Sequence, residues 1–416
     1  MKTDVLILGG GLAGILIARE LQLLGMDYML IEADRIMSGT SGNTTAKITS
    51  QHGLIYGKLL RKFGPEGART YWEAQETALS ALGELCRERD CDYEKKDNFI
   101  FSRDSIRPLE VEYHALGRLN IPAELDTSAD LPFPVAGALR FPDQARFHPG
   151  KLAAAITPGM NIFEHTAARE IRDHQVVTDR GTVTAEKILV ATHFPIVNRY
   201  GAYFLKMYQS RSYVLALKNA PKVRGMYLDY RGDGLSFRNQ GEYLLLGSGG
   251  HRTGKQGMGW KELRAAAAEF YPQSRVVCRW AAQDCMTLDS MPYIGRYSPQ
   301  TPDLYVATGF NKWGMTASML SALILRDLIR GRENAFGDLF SPSRSMLRPQ
   351  LLLNMAHSTV NLLTPTAPRC PHMGCALKWN PAEHSWDCPC HGSRFTAEGE
   401  LLENPARKNL RDEGTL

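Results

Sequence analysis

The sequence has no apolar stretch long enough to span a membrane and no run rich in lysine and arginine. Its net charge of +5 is the small difference between 49 basic and 44 acidic residues. These absences argue against a transmembrane segment and give no indication of nucleic acid or a membrane surface as a partner. With 416 residues, of which 44% are hydrophobic and 22% charged, the chain is expected to form two or three soluble globular domains.

A signal peptide is also not expected. The first residues could be mistaken for one, but Asp4 comes early and the apolar run breaks at three glycines. We therefore predict a strand at the N-terminus and a cytoplasmic location. Half of the eight cysteines show no metal-binding spacing and are expected to be buried free thiols. These are Cys86, Cys91, Cys278 and Cys285.

The other four cysteines lie near the C-terminus, in Cys370-Pro-His372-Met-Gly-Cys375 and Cys388-Pro-Cys390-His391-Gly-Ser393. The first segment contains Cys-x-His, and fifteen residues later the second contains Cys-x-x-His. Two thiolates and two imidazoles suit a [2Fe–2S] cluster with two Cys on one iron and two His on the other. A Cys₂His₂ zinc site is the alternative. However, zinc modules usually pair Cys with Cys and His with His, whereas here each loop supplies one of each.

The segments CPHMGC and CPCHGSRF closely resemble the two cluster-binding loops of a Rieske domain. The resemblance implies a disulfide between Cys375 and Cys390 that ties the loops together. It also implies four cluster ligands: Cys370, His372, Cys388 and His391. A Rieske domain normally has several strands before its first loop, but residues 346–369 here are predicted to be a linker. We therefore expect a shortened Rieske module over 370–416, dependent on metal or on docking to the rest of the chain.

The N-terminus carries a second motif, Gly9-Gly-Gly11-Leu12-Ala13-Gly14, between a predicted strand and a predicted helix. A second strand then ends in Glu32, about twenty residues beyond the glycines. Gly9 permits a tight turn, Gly11 allows a pyrophosphate to approach the backbone, and Gly14 allows close packing of helix on strand. The helix N-terminus favours the phosphate charge, and Glu32 can accept from ribose hydroxyls. The motif predicts a dinucleotide site that includes Leu12 and Ala13.

The loop that follows, residues 38–53, is rich in small and hydroxyl-bearing residues. It resembles the loop that passes the FAD phosphates in flavoproteins of the D-amino-acid oxidase-like (glycine oxidase-like) family. The resemblance implies FAD rather than NAD, and it places four residues along the cofactor: Thr40, Ser41, Thr45 and Ala46. An ordinary surface loop is the alternative.

Two later segments extend the resemblance to roughly residues 1–345. Where Thr192 precedes His193, many flavoproteins have Ala-Thr-Gly running beside FAD. Residues 304–316 match a strand, turn and helix whose N-terminus lies near the flavin and stabilises its reduced anion. The resemblance therefore implies flavin contacts by Thr192 and by Gly309, Lys312, Gly314, Met315 and Thr316. An exposed turn is the alternative for Lys312. Residues 249–254 are expected to be a solvated turn, with contact of His251 or Arg252 to a substrate carboxylate as the alternative.

The resulting fold prediction is an α/β FAD-binding (Rossmann-like) domain over 1–345, followed by a small all-β Rieske-type module. An antiparallel β-rich substrate subdomain is expected mainly within 93–147 and 200–290. The expected activity is oxidation of a small amine or amino acid by hydride transfer to flavin, with electrons leaving through the cluster to an external acceptor. Because the cluster accepts one electron at a time, a dehydrogenase is favoured over an oxygen-using oxidase. No general base is identified.

Two alternatives stay open at this point. One is a flavin oxidase with a degenerate, iron-free Rieske remnant. The other is a non-enzymatic redox sensor in which Cys375 and Cys390 toggle, since a disulfide is unusual in a reducing cytoplasm.

Overall fold

The computed structural model describes residues 1–197 and 199–410. Its first sheet grows from the strand β1 (Lys2–Leu8), whose last four residues are all buried. β1 lies parallel to β2 (Tyr28–Ile31) and to β12 (Gly181–Val190). Continuous burial is typical of parallel strands, because helices cover both faces of the sheet. The sheet has five further strands: β9 (Ile162–Phe163), β10 (Ala168–Arg172), β11 (Gln175–Thr178), β18 (Tyr293–Arg296) and β19 (Leu304–Thr308).

The described residues contain nine helices, some of which pack against this sheet. They are α1 (Leu12–Leu23), α2 (Tyr56–Arg87), α3 (Arg107–Arg118), α4 (Pro149–Ile156), α5 (Tyr203–Lys206), α6 (Trp260–Phe270), α7 (Gly314–Ile329), α8 (Gly337–Phe340) and α9 (Pro349–Leu363). The mostly buried α1 and α7 contact each other over the parallel strands. The dipeptide Gly64-Pro65 is a pattern that breaks a helix, and α2 is interrupted there, because Gly64 has a φ of 71°.

A second sheet also contains eight strands. All of its strand pairs are antiparallel except the parallel pair of β5 and β14. Its strands are, in spatial order, β17 (Arg275–Thr287), β13 (Met207–Lys218), β16 (Tyr243–Arg252), β15 (Ser236–Gln240), β14 (Met226–Asp229), β5 (Asn98–Ser102), β7 (Gly137–Phe141) and β6 (Glu124–Asp126). A small third sheet contains one strand of the hydroxyl-rich loop, residues 38–53. Its strands are, in spatial order, β3 (Lys47–Ile48), β8 (Ala145–Arg146) and β4 (Glu94–Lys95). The predicted fold class is confirmed.

The turn expected at residues 249–254 was wrong in part. β16 continues to Arg252, and His251 and Arg252 pair with Arg211 and Ser210 of β13. The long neighbouring strand β13 keeps the glycine-rich segment in the sheet, so its composition does not produce a turn before Arg252.

The C-terminal part is a four-stranded antiparallel sheet with strands of three residues each: β20 (Lys378–Asn380), β21 (Ser385–Asp387), β22 (Arg394–Thr396) and β23 (Leu401–Glu403). Its small core contains Leu377, Phe395 and Leu410 beside the motif cysteines. The preceding segment, predicted to be a linker, holds the fifteen-residue helix α9. Residues 411–416 of the predicted module lie outside the described residues.

No helix in the part of the chain that the structure describes combines the length and the apolar character needed to cross a bilayer.

Candidate active site

A cavity of about 640 Å³ lies where β1, β12 and β19 end and α1 begins. Glycine is required at its floor. A Cβ on Gly9, whose φ is 109°, would lie 2.6 Å from the carbonyl oxygen of Ala191. A Cβ on Gly14 would lie 2.0 Å from the carbonyl oxygen of Gly9, so Gly14 is needed for the close approach of helix and strand. This cradle fits a dinucleotide pyrophosphate at a helix N-terminus.

Most residues predicted to bind FAD line this cavity. They are Gly9, Gly11, Ala13, Glu32, Thr40, Ser41, Thr192, Gly309, Lys312, Gly314 and Met315. The Oε2 atom of Glu32 accepts from the amide of Gly10 at 2.6 Å, which fixes the carboxylate beside the glycine loop. The Ser41 hydroxyl accepts from the amide of Leu12 at 2.9 Å, so an oxygen acceptor already occupies the start of α1.

The remaining predicted residues do not line this cavity: they lie behind its lining residues or line a neighbouring cavity. Leu12 and Gly14 are buried under the glycine loop. The carbonyl oxygen of Ala46 accepts from Arg238, and the Thr316 hydroxyl lies 3.2 Å from Nε2 of His52. Thr45 lines the second cavity instead. These residues are placed to support the site rather than to line the nucleotide cavity.

The second cavity, of about 730 Å³, adjoins the first, and the two share a set of lining residues. Thr40, Asp284, Lys312 and Met315 line both cavities. Gly314 and Met315 begin α7, so the positive end of that helix dipole lies at this junction. The arrangement allows a cofactor in one cavity to meet a small molecule in the other.

Asp284 of β17 is the residue at this junction that sequence reasoning missed. Burial raises the pKa of this carboxyl group, while the charges of Lys312 and His193 act in the opposite direction. Burial likewise lowers the pKa of Lys312, and Asp284 opposes that shift. The sequence contains no motif that marks this acid, because the burial of its neighbours Gln283 and Cys285 follows only from the pairing of β17.

The two cluster loops bring their cysteines together in pairs. Cys375 and Cys390 form the disulfide that the Rieske resemblance implied. The thiols of Cys370 and Cys388 hydrogen-bond to each other, which lowers the pKa of the Cys388 thiol, and backbone N–H groups of its own loop act in the same direction. The sulfurs of Cys375, Cys388 and Cys390 also lie close enough to group around a metal. However, the disulfide removes two of those three as ligands, which leaves Cys388 to act with Cys370.

The imidazoles of His372 and His391 complete the predicted ligand set, with ring centroids 5.0 Å apart. Nε2 of the buried His391 donates to the carbonyl oxygen of Phe204 at 2.9 Å, which leaves Nδ1 as the ring's deprotonated nitrogen. That Nδ1 is buried and has no hydrogen-bond partner within the described residues, as expected of a metal-binding nitrogen whose ring is held by the other one. Burial lowers the pKa of His372 to about 4 and of His391 to about 3, so both rings are neutral as ligands must be.

The cluster loops dock directly beside the nucleotide cavity. Nδ2 of Asn404 donates to the carbonyl oxygens of Thr192 at 2.6 Å and Phe194 at 3.0 Å. Thr192 and Asn404 both line that cavity. The ring of Phe194 meets the rings of His391 and His372 at centroid distances of 6.1 and 6.4 Å.

A cluster of charged residues that contains two buried arginines joins the module to the second sheet. Arg211 of β13 contacts Glu383 at 2.8 Å and Glu403 at 2.7 Å. Arg394 of the module contacts the same two carboxylates at 2.9 and 3.1 Å. Burial alone would raise the pKa of Glu403, but Arg211 and Arg394 outweigh it and hold that pKa below its usual value. We refer to Arg211, Glu383, Arg394 and Glu403 as the charge clamp.

The chain belongs to the FAD-dependent oxidoreductase family, whose family model matches residues 4–328, and a Rieske [2Fe-2S] domain model matches residues 358–412. The sequence is 34% identical, over an alignment of 477 residues, to YhfW of Bacillus subtilis (strain 168), which is described as a Rieske 2Fe-2S iron-sulfur protein. That alignment covers 99% of this chain and 93% of YhfW.

Two other relatives are more distant. Gamma-glutamylputrescine oxidoreductase of Escherichia coli (strain K12) is 26% identical, covering 81% of this chain and 86% of the relative. The crystal structure of glycine oxidase from Geobacillus kaustophilus superposes with a TM-score of 0.69 at 23% identity, covering 83% of this chain and 99% of the other.

These matches confirm the predicted family and the two cofactors, FAD and a [2Fe–2S] cluster. The protein is an FAD-dependent oxidoreductase with a Rieske domain, and the zinc alternative is not supported. The individual contact residues, the domain boundaries and the cytoplasmic location stay predictions.

Proposed function

We propose that this oxidoreductase is a dehydrogenase for a small amine or amino acid that passes electrons through its Rieske cluster to an external acceptor. FAD supplies a two-electron hydride acceptor and the cluster a one-electron carrier. The observation that carries the proposal is the contact between the cluster loops and the wall of the nucleotide cavity. Asn404 of the module donates to Thr192 of the body, and both residues line that cavity. Phe194, two residues after Thr192, contacts both histidine rings of the cluster loops.

The second cavity suits an amine substrate. Asp284 lies at the junction with the nucleotide cavity, where its carboxylate can hold an ammonium group facing the flavin site. Lysine and arginine side chains line the same cavity, including Lys47, Lys312 and Arg252, and a substrate carboxylate complements them. The relatives support this substrate class, since one is named for gamma-glutamylputrescine and a structural neighbour for glycine.

Anaerobic mixing of the purified holoprotein with glycine or gamma-glutamylputrescine tests the proposal. A substrate should bleach the flavin absorbance and also produce the EPR signal of a reduced Rieske cluster. Rapid oxygen consumption while the cluster stays oxidised would instead identify an oxidase with an idle module.

A ligand substitution sharpens this test. His372→Cys replaces a neutral ligand by a thiolate, which should lower the cluster potential measured by EPR-monitored titration and slow the reoxidation of flavin. The exposed residue His384 provides the matched control, because His384→Cys makes the same change away from the cluster. An altered potential with an unchanged rate of flavin reoxidation would contradict the relay.

A further inference from the structure

Helix α9 (Pro349–Leu363) presents its apolar side chains to solvent and its polar side chains to the protein. Asn354 and Asn361 are its fully buried residues. Six large apolar residues are between 41% and 77% exposed: Leu352, Leu353, Met355, Val360, Leu362 and Leu363. At 100° per residue they fall within an arc of about 180°. This is the reverse of an ordinary surface helix, which buries its apolar stripe.

Hydrogen bonds on the buried side of α9 fix this orientation. Nδ2 of Asn354 donates to the carbonyl oxygen of Leu205 at 3.1 Å, and Oδ1 accepts from Arg252 at 3.0 Å. The backbone carbonyl oxygen of Asn361 accepts from the amide of Ala376, directly after the first cluster loop, at 2.9 Å, while the side chain of Asn361 donates to His357 within the helix. Rotation of α9 to bury its leucines would leave these polar groups without partners. The cost of losing these hydrogen bonds therefore keeps the apolar face directed outward.

The charge around α9 has one sign. Residues 341–369 contain Arg344, Arg348 and Arg369 but no Asp or Glu. Arg344 is neutralised by Asp289. Arg348 and Arg369 lie at the two ends of α9 and donate to backbone carbonyl oxygens, with no carboxylate partner within the described residues. An apolar face with a cation at each end complements an anionic lipid surface.

From this geometry we propose that α9 docks onto a bilayer containing anionic lipids. Its apolar face enters the boundary of the acyl chains, and Arg348 and Arg369 face the head groups. No membrane-binding signal is visible in the sequence, because these cations are not in a run. The inference is independent of the proposed function. It does have a consequence for the site. Gln350, Leu353 and His357 of α9 line the second cavity, so docking of α9 would place the opening of that cavity at the membrane.

A second copy of the chain fits this face less well. Symmetric pairing along α9 would set Arg348 against Arg348 if parallel, or against Arg369 if antiparallel, and no acid in the segment offsets either contact. The outward face also lacks the Trp, Tyr and Arg anchors that dominate protein–protein interfaces.

Cosedimentation of the full-length holoprotein with vesicles of phosphatidylcholine and phosphatidylglycerol in equal parts tests the proposal. The double variant Leu352→Gln/Leu363→Gln should lower the partition by at least about tenfold, because two exposed leucines lose their insertion. Leu23→Gln, which changes an exposed leucine on α1, should bind as the wild type does. Flavin absorbance checks that each variant is folded.

Three outcomes would overturn the proposal. They are absence of wild-type binding, equal binding of the double variant, and a dimer by light scattering that the double variant abolishes. Equal binding to pure phosphatidylcholine vesicles would overturn the role given to Arg348 and Arg369.

Discussion

The flavoprotein body and the Rieske module are held together by different kinds of interaction. The body buries long apolar strands and helices, and its principal core joins α1, α2 and α7 to the parallel sheet. The module has strands of only three residues and a core built largely of cysteines. Small domains cannot bury enough apolar surface to be stable alone. The module compensates for its small core with a disulfide, with the four predicted cluster ligands and with the charge clamp. The clamp includes Arg211, which belongs to the body.

We infer from this difference that the module depends on docking to the body for its stability. Arg211 belongs to the body but completes the module's buried charges. Gln209 and Gln283 of the body donate to carbonyl oxygens of His391 and Gly392, both at 2.8 Å. A Rieske domain normally has supporting strands before its first cluster loop, and here β13 and β17 of the body take that place.

Among the substitutions considered, Arg211→Met should lower the stability of the module most. It leaves Glu383 and Glu403 buried with one arginine fewer, and breaking a buried pair in this way costs about 3–5 kcal/mol. We expect the cluster absorbance to be lost at a much lower temperature than in the wild type, while the flavin absorbance changes little.

Lys218→Met is the matched control, because Lys218 lies on the same strand in an exposed pair with Glu242. Exposed pairs contribute about 0–1 kcal/mol, so this variant should melt like the wild type. If Arg211→Met behaved like the control, the charge clamp would not be what holds the module.

Replacement of both Cys375 and Cys390 by Ser should have the next largest effect. Closing a loop of this length stabilises by about 3 kcal/mol, so the module's unfolding midpoint in guanidinium should fall when followed at the cluster band. Cys278 was expected to be buried, but it is exposed and free, so Cys278→Ser should change the midpoint little. An unchanged midpoint in the double variant would show that docking alone sets the stability of the module.

A smaller effect is expected at His52, which tests how the stability of the body depends on pH. Its Nδ1 lies 2.7 Å from the Tyr71 hydroxyl, its ring stacks on Trp313, and burial lowers its pKa to about 3. The folded protein therefore keeps His52 neutral at pH 5, while the unfolded chain protonates it below about pH 6.5. Folding stability should fall with acidification through this group, by up to about 1.4 kcal/mol per pH unit.

His52→Gln should remove that contribution. The slope of the free energy of unfolding against pH, measured between pH 6 and 5 by denaturant titration, should be shallower in the variant by about 1 kcal/mol per unit. Equal slopes would mean that His52 takes up its proton in the folded state.

Local patterns were sufficient to predict the fold class and both cofactors. The glycine loop, the break at Gly64 and the spacing of the cluster motif each depend on residues close together in sequence. Long-range pairing was not visible. Arg252 was expected in a solvated turn, but its guanidinium donates to the carbonyl oxygens of Pro389 and Cys390. Asp284 meets Lys312 only through folding, and the reversed face of α9 follows from Asn354 and Asn361 finding distant partners.

The wall shared by the nucleotide cavity and the module also has a consequence for biosynthesis. Residues 401–404, with Ala406 and Arg407, enclose one side of the cavity that fits FAD. This segment leaves the ribosome after the glycine loop and both sheets of the body. We therefore expect an order of assembly in which the dinucleotide enters while that side is open and the C-terminal segment then seals it. Once sealed, exchange of the nucleotide would require the iron–sulfur module to detach.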